Sequence, residues 1–334
     1  MARREGLDAG RANVCVAGAG AGASPVAEDT AEEIGRLPRH TLKPPAAWDT
    51  HRGSVSLGSP AVAGILNVTP DSFSDGGLYV KVDDAIRHAE QMIEAGADMI
   101  DIGAESTRPG VADRLDPADE WRRLEPVLSQ FARRFPSMPV SVDTVNAETG
   151  RRALDGGAWV LNDVSGLRFD AEIATVCAEF GAGLIVMHSR GSFPEMATYQ
   201  HAEYDDVVLN VVEELERSVR IAESRGLSRE RIVIDPGLGF AKRPEHNYAV
   251  LRGLTAIAAL GFPVMVGPSR KRFLGNVAGA DVADRDNATA AACVVAYAHG
   301  AKLFRVHDVS RVRGALQIAH AVREPGCPSS NFDS

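Results

Sequence analysis

One repeating pattern limits the possible folds of this chain most. It consists of a short aliphatic run, a polar loop and an amphipathic stretch, and it repeats eight times between residues 62 and 306. Runs this short and this apolar are typical of strands that are buried on both faces. Strands that alternate with helices pair in parallel through right-handed crossovers. Eight such units predict a closed TIM (β/α)₈ barrel, since an open doubly wound sheet more often has fewer strands. The predicted strands are Val62–Leu66, Met99–Ile102, Val140–Val142, Trp159–Leu161, Leu184–Met187, Ile232–Ile234, Val264–Val266 and Leu303–Val306.

Helices are predicted in most of the gaps between these strands. Ser54–Leu57, just before the first strand, predicts a small N-terminal hairpin that closes the bottom of the barrel. Residues 1–45 are rich in Ala, Gly and charge and lack an apolar period, so we expect a flexible N-terminal extension. The barrel domain then spans 46–324, and 325–334 form a C-terminal tail. The predicted helices are Asp83–Ala95, Pro117–Arg134, Ala147–Leu154, Glu172–Phe180, Asp205–Arg225, Glu245–Leu260 and Ala283–Ala298.

The composition sets limits on partners and location. The formal net charge of −9 argues against a general nucleic-acid surface but leaves room for a basic pocket. No apolar stretch reaches the roughly 18 residues that a membrane span needs, and the N-terminus lacks the apolar core of a secretory signal. The four cysteines have neither metal-ligand spacing nor the density of a disulfide scaffold. We therefore expect reduced thiols, a cytoplasmic location and no membrane partner.

Polar residues follow nearly every predicted strand. Because a barrel places the carboxyl ends of all its strands on one rim, we expect these groups to converge on one pocket. They are Asn67, Asp101 to Gly110, Asp143, Asn162 and Asp163, His188, Asp235 to Gly237, Gly267 to Lys271, and Arg305 to Asp308.

Each of these groups also has a purely structural interpretation when it is taken alone. Asp143 and Asp163 could cap helices. Asp235-Pro236-Gly237 could be only a turn, and Arg270-Lys271-Arg272 could be a solvated basic face. A lone histidine such as His307 is more often packed than catalytic. These alternatives stay open for single residues, but they weaken once all the groups share one rim.

The residue types describe the ligand. Asp143 and Asp235 only accept hydrogen bonds when ionised, whereas Asn162 both donates and accepts. Such a set suits a flat heterocycle with adjacent N–H donors and a carbonyl, such as a 2-amino-4-oxo pyrimidine ring. Lys271 can stabilise either part of the ligand. A second set suits an anionic, oxygen-rich group such as a phosphate: Asn67, Thr107, Arg108, Arg305 and His307.

Five segments resemble the dihydropteroate synthase family, and the resemblance extends over residues 46–322. It implies a TIM barrel, commonly a homodimer, and a transferase of folate biosynthesis, the target of sulfonamides, that uses Mg²⁺. That enzyme joins 6-hydroxymethyl-7,8-dihydropterin pyrophosphate to p-aminobenzoate, giving 7,8-dihydropteroate and pyrophosphate. The segments are Asn67–Gly77, Asp101–Gly110, Asp235–Lys242, Ser269–Gly275 and Arg305–Val309.

The resemblance also implies roles for individual residues. The pterin pocket would use Asp143, Asn162, Asp235 and Lys271, with walls from Met187, Phe240 and Gly267. Mg²⁺ would be held by Asn67 with help from Asp75. The pyrophosphate would be held by Arg305 and His307, with Thr107 and Arg108 helping to organise it. The p-aminobenzoate site would contain Phe73, Pro109 and Ser269. The residues expected to carry the chemistry are Asp143, Asp235, Lys271, Arg305 and His307.

Small departures and two alternatives accompany this prediction. Ala63, Ala104 and Pro268 differ from the residues more usual in the family, and Pro268 leaves sulfonamide sensitivity open. A pterin-binding methyltransferase barrel would share the carboxylate and amide pocket but gives no reason for Ser269-Arg270-Lys271 or Arg305-Val306-His307. A non-catalytic pterin-binding paralogue is the other alternative, and the intact first and second loops argue against it.

Overall fold

The computed structural model of the protein describes residues 45–68, 78–104, 114–278 and 285–324. The predicted tail, and all but the last residue of the predicted N-terminal extension, lie outside these ranges. Both therefore stay predictions.

Eight parallel strands form one sheet. They are β3 (Ala61–Asn67), β4 (Met99–Gly103), β5 (Val140–Asp143), β6 (Val160–Asp163), β7 (Gly183–Met187), β8 (Ile232–Asp235), β9 (Met265–Val266) and β10 (Leu303–Val306). Their order in the sheet is β8-β7-β6-β5-β4-β3-β10-β9. A parallel bridge between Ile234 of β8 and Val264, which immediately precedes β9, closes this sheet on itself. The closed TIM barrel predicted from the repeat is thereby confirmed.

A two-stranded antiparallel hairpin, β1 (Ala47–Thr50) and β2 (Gly53–Ser56), precedes the barrel. Trp48 is fully buried, and its indole N–H donates to the carbonyl of Arg231 at 3.0 Å. A Cβ at Gly183, the first residue of β7, would lie 2.7 Å from the Trp48 ring. The hairpin therefore covers the amino end of the barrel as predicted, but it begins at Ala47 rather than at Ser54.

Helices surround the sheet, and the second one shows how the sequence sets their bounds. It begins where Asp116 accepts a hydrogen bond from the amide of Ala118 at 2.8 Å and Pro117 occupies the first turn. The helices are α1 (Leu78–Glu94), α2 (Pro117–Arg134), α3 (Ala147–Asp155), α4 (Glu172–Phe180), α5 (Val207–Ser224), α6 (Pro244–Arg252), α7 (Leu254–Ala258), α8 (Arg272–Ala278), α9 (Arg285–Ala298) and α10 (Val309–Arg323).

The helices differ from the sequence prediction in two places. The predicted helix Glu245–Leu260 is two helices, α6 and α7, that meet at Gly253. A Cβ at Gly253 would lie 2.6 Å from the Val208 side chain, so the close approach of α5 requires glycine there. Helices α8 and α10 were not predicted, although Val309, Val312 and Leu316 form a buried helical stripe in α10.

The strand register places polar residues side by side at the carboxyl rim. Asn67 of β3 pairs with Gly103, Gly103 pairs with Asp143, and Asp143 pairs with Asn162. One row across four neighbouring strands thus presents an amide, a carboxylate and a second amide. In the described ranges no helix is both long and apolar enough to cross a bilayer.

Candidate active site

Asp101, in the middle of β4, is the most connected acidic group beneath the rim. Its carboxylate is 1% exposed and accepts hydrogen bonds from the Ser141 hydroxyl and from Arg305 Nε, the latter at 2.6 Å. The Asn162 amide nitrogen lies 3.4 Å from Asp101 Oδ2. A carboxylate this deep is stable only when charged and polar partners surround it. Asp101 therefore orients Arg305 and Asn162 from below.

Arg305 joins two strands at the floor of the mouth. Besides its bond to Asp101, its second terminal nitrogen lies 3.2 Å from Asp143 Oδ2. Burial alone would lower the pKa of Arg305, but Asp101 and Asp143 outweigh burial and raise this pKa. The guanidinium thus stays charged although it is partly buried, with a side-chain exposure of 22%. That arrangement suits the capture of an anion.

Asn162, near the end of β6, carries a buried and unused acceptor. The residue is 1% exposed, yet its amide oxygen has no hydrogen-bond partner among the described residues. A buried acceptor without a donor costs about 1–3 kcal/mol, so it indicates a position that a ligand donor completes.

Asp235 ends β8 and is 3% exposed. Burial raises the pKa of its carboxyl group, while the hydrogen bond from the Gly237 amide and the nearby Lys271 oppose that rise. The Gly237 amide lies 2.7 Å from Asp235 Oδ1. A Cβ at Gly237 (φ +66°) would lie 1.9 Å from the carbonyl oxygen of His188, so only glycine fits this turn. The turn therefore holds the Asp235 carboxylate in one orientation.

Lys271 lies over the same part of the mouth. Burial and the nearby Arg305 lower its pKa to about 7, against the attraction of Asp235. Its ammonium donates to the carbonyl of Leu238 and lies 4.4 Å from the centre of the Phe240 ring. Phe240 in turn belongs to a buried apolar cluster that includes Met187. The predicted polar and apolar parts of the pocket are thus adjacent.

The loop after β9 is held by two contacts of different kinds. The Ser269 hydroxyl lies 2.8 Å from His307 Nδ1 and accepts a hydrogen bond from the His307 amide at 3.1 Å. Arg270 has a left-handed backbone (φ +56°) and forms a bidentate ion pair with Asp286 of α9, both bonds being 2.8 Å long. Arg270 thus anchors the loop on the outer helix, while Ser269 and Lys271 stay on the inner side.

Gly267 is the last of the predicted wall residues. A Cβ at this position would lie 3.8 Å from Arg305 Cβ, which is ordinary van der Waals contact. Gly267 therefore lies beside the guanidinium-bearing residue of β10.

Asn67 is exposed at the end of β3 and could hold a metal ion. Its side-chain oxygen is a hard donor of the kind that Mg²⁺ prefers, and Mg²⁺ takes most remaining ligands from water and substrate phosphates. Across the described ranges no group of three or more His, Cys, Asp or Glu side chains could hold a metal ion by itself. The remaining predicted site residues, Phe73, Asp75, Thr107, Arg108 and Pro109, lie outside the described residues.

The structural alternatives considered for single residues have separate outcomes. Asp143 does not cap a helix, since α3 begins at Ala147 with Asn146 as its N-cap residue, and Asp143 faces Arg305. Asp163 does stabilise its own chain, accepting from the amides of Ser165 at 2.7 Å and Leu167 at 2.6 Å, but it caps a turn rather than a helix. The basic segment Arg270-Lys271-Arg272 is not simply a solvated face, because Arg270 pairs with Asp286 of α9 and Lys271 lies near Asp235.

Sequence reasoning missed two buried groups, Asp101 and Lys242. Both lay within segments that carried the resemblance, but neither was given a role. Asp101 could have been found because an ionisable residue inside the otherwise apolar run Met99–Ile102 needs a buried partner. Lys242 offered no such signal, because Asp235–Lys242 is too irregular for burial to be read from periodicity.

Comparison with known proteins identifies the family of this chain. A family model described as pterin binding enzyme matches residues 63–307. A dihydropteroate synthase of Mycobacterium leprae is 44% identical over 80% of this chain and 95% of its own length. One from Synechocystis is 42% identical, over 78% of this chain and 89% of its own length.

Solved structures agree as well. A Xanthomonas albilineans dihydropteroate synthase with 4-aminobenzoic acid has a TM-score of 0.77 and 38% identity, covering 83% of this chain and 98% of that one. The same enzyme in complex with 7,8-dihydropteroate has a TM-score of 0.74 and 36% identity, with the same shares covered. The chain therefore belongs to the dihydropteroate synthase family of pterin binding enzymes.

Proposed function

We propose that the rim residues carry out the family's reaction in the following roles. The diphosphate ester of 6-hydroxymethyl-7,8-dihydropterin reacts with 4-aminobenzoate and gives 7,8-dihydropteroate and diphosphate. The observation that carries the proposal is that the rim of one barrel holds both a buried carboxylate, Asp235 at the end of β8, and the unsatisfied amide oxygen of Asn162 on β6. A pterin ring offers adjacent N–H donors that both acceptors need.

The ring end of the substrate would lie deepest. Asp235 accepts from the ring N–H groups, Asn162 supplies a further acceptor, and Asp143 lies beside them on β5. Lys271 donates to the ring from above, and Phe240 and Met187 provide the apolar wall. Because these groups are fixed before the substrate arrives, little ordering is left for the binding step.

The diphosphate end would lie against Arg305 and His307. Arg305 is charged and fixed by Asp101, so it can stabilise the negative charge that grows on the leaving group without reorganising. Thr107 and Arg108 keep their predicted role on the second loop. Asn67, with Asp75, would hold Mg²⁺, whose charge would offset that of the diphosphate.

Bond breaking would precede attack by the amine. The C–O bond between the pterin methylene and the diphosphate breaks, and the diphosphate leaves with the bonding electrons. A cation conjugated with the ring remains, the 4-aminobenzoate nitrogen adds to that carbon, and the nitrogen then releases one proton to solvent or to the diphosphate. Asp143 and Asp235 supply negative potential near the cation. Ser269, Phe73 and Pro109 would bind 4-aminobenzoate. The 2.8 Å contact of Ser269 with His307 supports the proposal that this site would lie next to the leaving group. No covalent nucleophile is needed.

The protein would act as a homodimer in the cytoplasm. Exposed aliphatic side chains lie on the adjacent helices α8, α9 and α10, and a second copy of the chain is their proposed partner. Light scattering in solution gives the mass directly, and glutamate at Val277 and Val322 should shift a dimer to monomer. The exposed residues are Val277, Val295, Ile318 and Val322, with exposures of 78%, 44%, 70% and 79%.

Calorimetric titration with the pterin diphosphate tests the proposed pocket. Asp235→Asn should weaken binding about 100-fold, because the amide replaces a charged acceptor with one that also donates. Asp98→Asn is the matched control, since Asp98 pairs with Arg313 at the opposite end of the barrel. Equal affinities of Asp235→Asn and wild type would refute the pocket.

A further inference from the structure

Among the side chains that the structure describes, Lys242 is the only lysine or arginine that is buried, with an exposure of 1%. Its ammonium lies 2.8 Å from His188 Nδ1 and donates to the carbonyls of Gly237 and Phe240, both at 3.2 Å. An ammonium has three N–H donors, and three acceptors surround this one. Lys242 is therefore fully hydrogen-bonded although it has no contact with solvent.

His188, at the end of β7, connects Lys242 to an outer helix. Burial and the nearby Lys242 lower the pKa of His188 to about 3, so the ring is neutral. A neutral imidazole donates from one nitrogen and accepts at the other. Its Nε2 lies 3.1 Å from Glu214 Oε2, which assigns the proton to Nε2 and leaves Nδ1 to accept from Lys242.

Glu214, on α5, completes the connection. Arg190 Nε donates to Glu214 Oε1 at 3.0 Å, and the two side chains are each 24% exposed. A continuous chain of polar contacts thus runs from the partly exposed Arg190 through Glu214 and His188 to Lys242. It joins α5 and the end of β7 to the loop that follows β8.

The two carbonyls that Lys242 holds belong to residues of the proposed pterin pocket or next to it. The Gly237 amide orients Asp235, and the Phe240 ring lies under Lys271. A Cβ at Gly239, between them, would lie 2.7 Å from the Lys271 side chain, so this turn also fixes the path of Lys271. The position of one buried ammonium therefore affects Asp235, Phe240 and Lys271 together.

We propose that Lys242 is a positioning residue for pterin binding: it fixes the turn from Gly237 to Phe240 on His188 and thereby sets Asp235 and Phe240 for the ring. It touches no reacting atom, and the inference rests on the roles given to Asp235, Phe240 and Lys271 in the proposed function. Loss of the ammonium takes the Lys242 donor from the Phe240 carbonyl and the His188 ring nitrogen and leaves the Gly237 carbonyl with the Phe240 amide alone, so we expect the turn to move. Small displacements of binding groups have large effects on affinity and rate.

Lys242→Met removes the three donors and keeps the length of the side chain. Calorimetry should show pterin diphosphate binding about 10- to 100-fold weaker than wild type. The KM for 4-aminobenzoate should change less than about twofold, because that site lies on the loops after β3, β4 and β9. Lys302→Met is the matched control, since Lys302 is a partly buried lysine at the opposite end of the barrel, and it should bind like wild type.

Glu214→Gln provides a second test that does not depend on the folding of Lys242→Met. Its side chain is partly exposed, and the amide keeps an acceptor for His188 but loses the charge that pairs with Arg190. We expect about two- to fivefold weaker pterin binding. A folded variant at either position with wild-type pterin affinity overturns the inference, provided that Asp235→Asn binds weakly in the same assay. Wild-type protein that does not bind the pterin diphosphate would instead overturn the proposed function.

Discussion

Replacing Arg305 tests whether the floor of the mouth is held by its ion pair with Asp101. Arg305→Met leaves the Asp101 carboxylate, 1% exposed, with only the Ser141 hydroxyl and a long contact from Asn162. Removing one partner of a buried ion pair costs about 3–5 kcal/mol. For a domain of this size about 2 °C of Tm corresponds to 1 kcal/mol, so the Tm should fall by about 6–10 °C.

The double variant separates the pair from other effects of the substitution. In Arg305→Met/Asp101→Asn the uncompensated charge is gone, and the amide still accepts from Ser141. We therefore expect the double variant to recover at least about half of the lost stability, while neither protein turns over substrate. The assay is thermal unfolding followed by circular dichroism, for wild type, both single variants and the double variant.

Arg313→Met is the matched control for function. Arg313 also pairs with an aspartate, Asp98, which lies three residues before Asp101 in the sequence. That pair lies at the amino end of the barrel, and Asp98 is 39% exposed there. This control should keep turnover. A double variant that is no more stable than Arg305→Met would refute the reasoning, because the cost would then not come from the unpaired Asp101.

Three further predictions concern the pocket and its support. Gly237→Ala should lower the free energy of unfolding in urea by more than about 3 kcal/mol, because its Cβ would collide with the His188 carbonyl. Gly314→Ala, inside α10 with nothing within 4 Å of a Cβ, should raise this free energy by about 0.5–1 kcal/mol. Equal effects of the two substitutions would contradict the geometry. Asn162→Ala should change the unfolding free energy of the ligand-free protein by less than about 1 kcal/mol from wild type, since the Asn162 oxygen is unsatisfied until the ring binds. The same variant should bind the pterin diphosphate about 10- to 100-fold more weakly by calorimetry. An unchanged affinity would speak against that role. Burial lowers the pKa of Lys242 to about 7 from about 10.5, so between these pH values the unfolded state binds more protons than the folded state. The unfolding free energy of wild type should therefore rise by about 1 kcal/mol per pH unit relative to Lys242→Met when it is measured from about pH 7.5 to 9. A difference that does not change with pH would show that Lys242 titrates normally.

The barrel was predictable because its strands are short apolar runs with polar ends, a pattern that depends on local sequence alone. All eight strands lie where the aliphatic runs predicted them, with no end shifted by more than two residues. The break at Gly253 was not predictable, since it depends on how closely Val208 of another helix approaches. Contacts of that kind are set by packing and leave no periodic signal.

The site was predictable to the level of which residues reach the rim, but not of how they support one another. Donor and acceptor types at the strand ends indicated Asp143, Asn162 and Asp235, and the strand register brings the first two side by side. The support beneath them depends on partners far apart in sequence: Asp101 with Arg305, and His188 with Lys242. Such pairs can be found only once the sheet closes and brings their strands together.

Formation of 7,8-dihydropteroate is the measurement that tests the central claim most directly. The purified protein is incubated with the pterin diphosphate, 4-aminobenzoate and Mg²⁺, and dihydropteroate and diphosphate are quantified in the same samples. The account predicts that the two products appear in equal amounts, that dihydropteroate requires 4-aminobenzoate, and that Asp235→Asn forms neither at a comparable rate. Wild-type protein that binds both substrates and forms no dihydropteroate would contradict it.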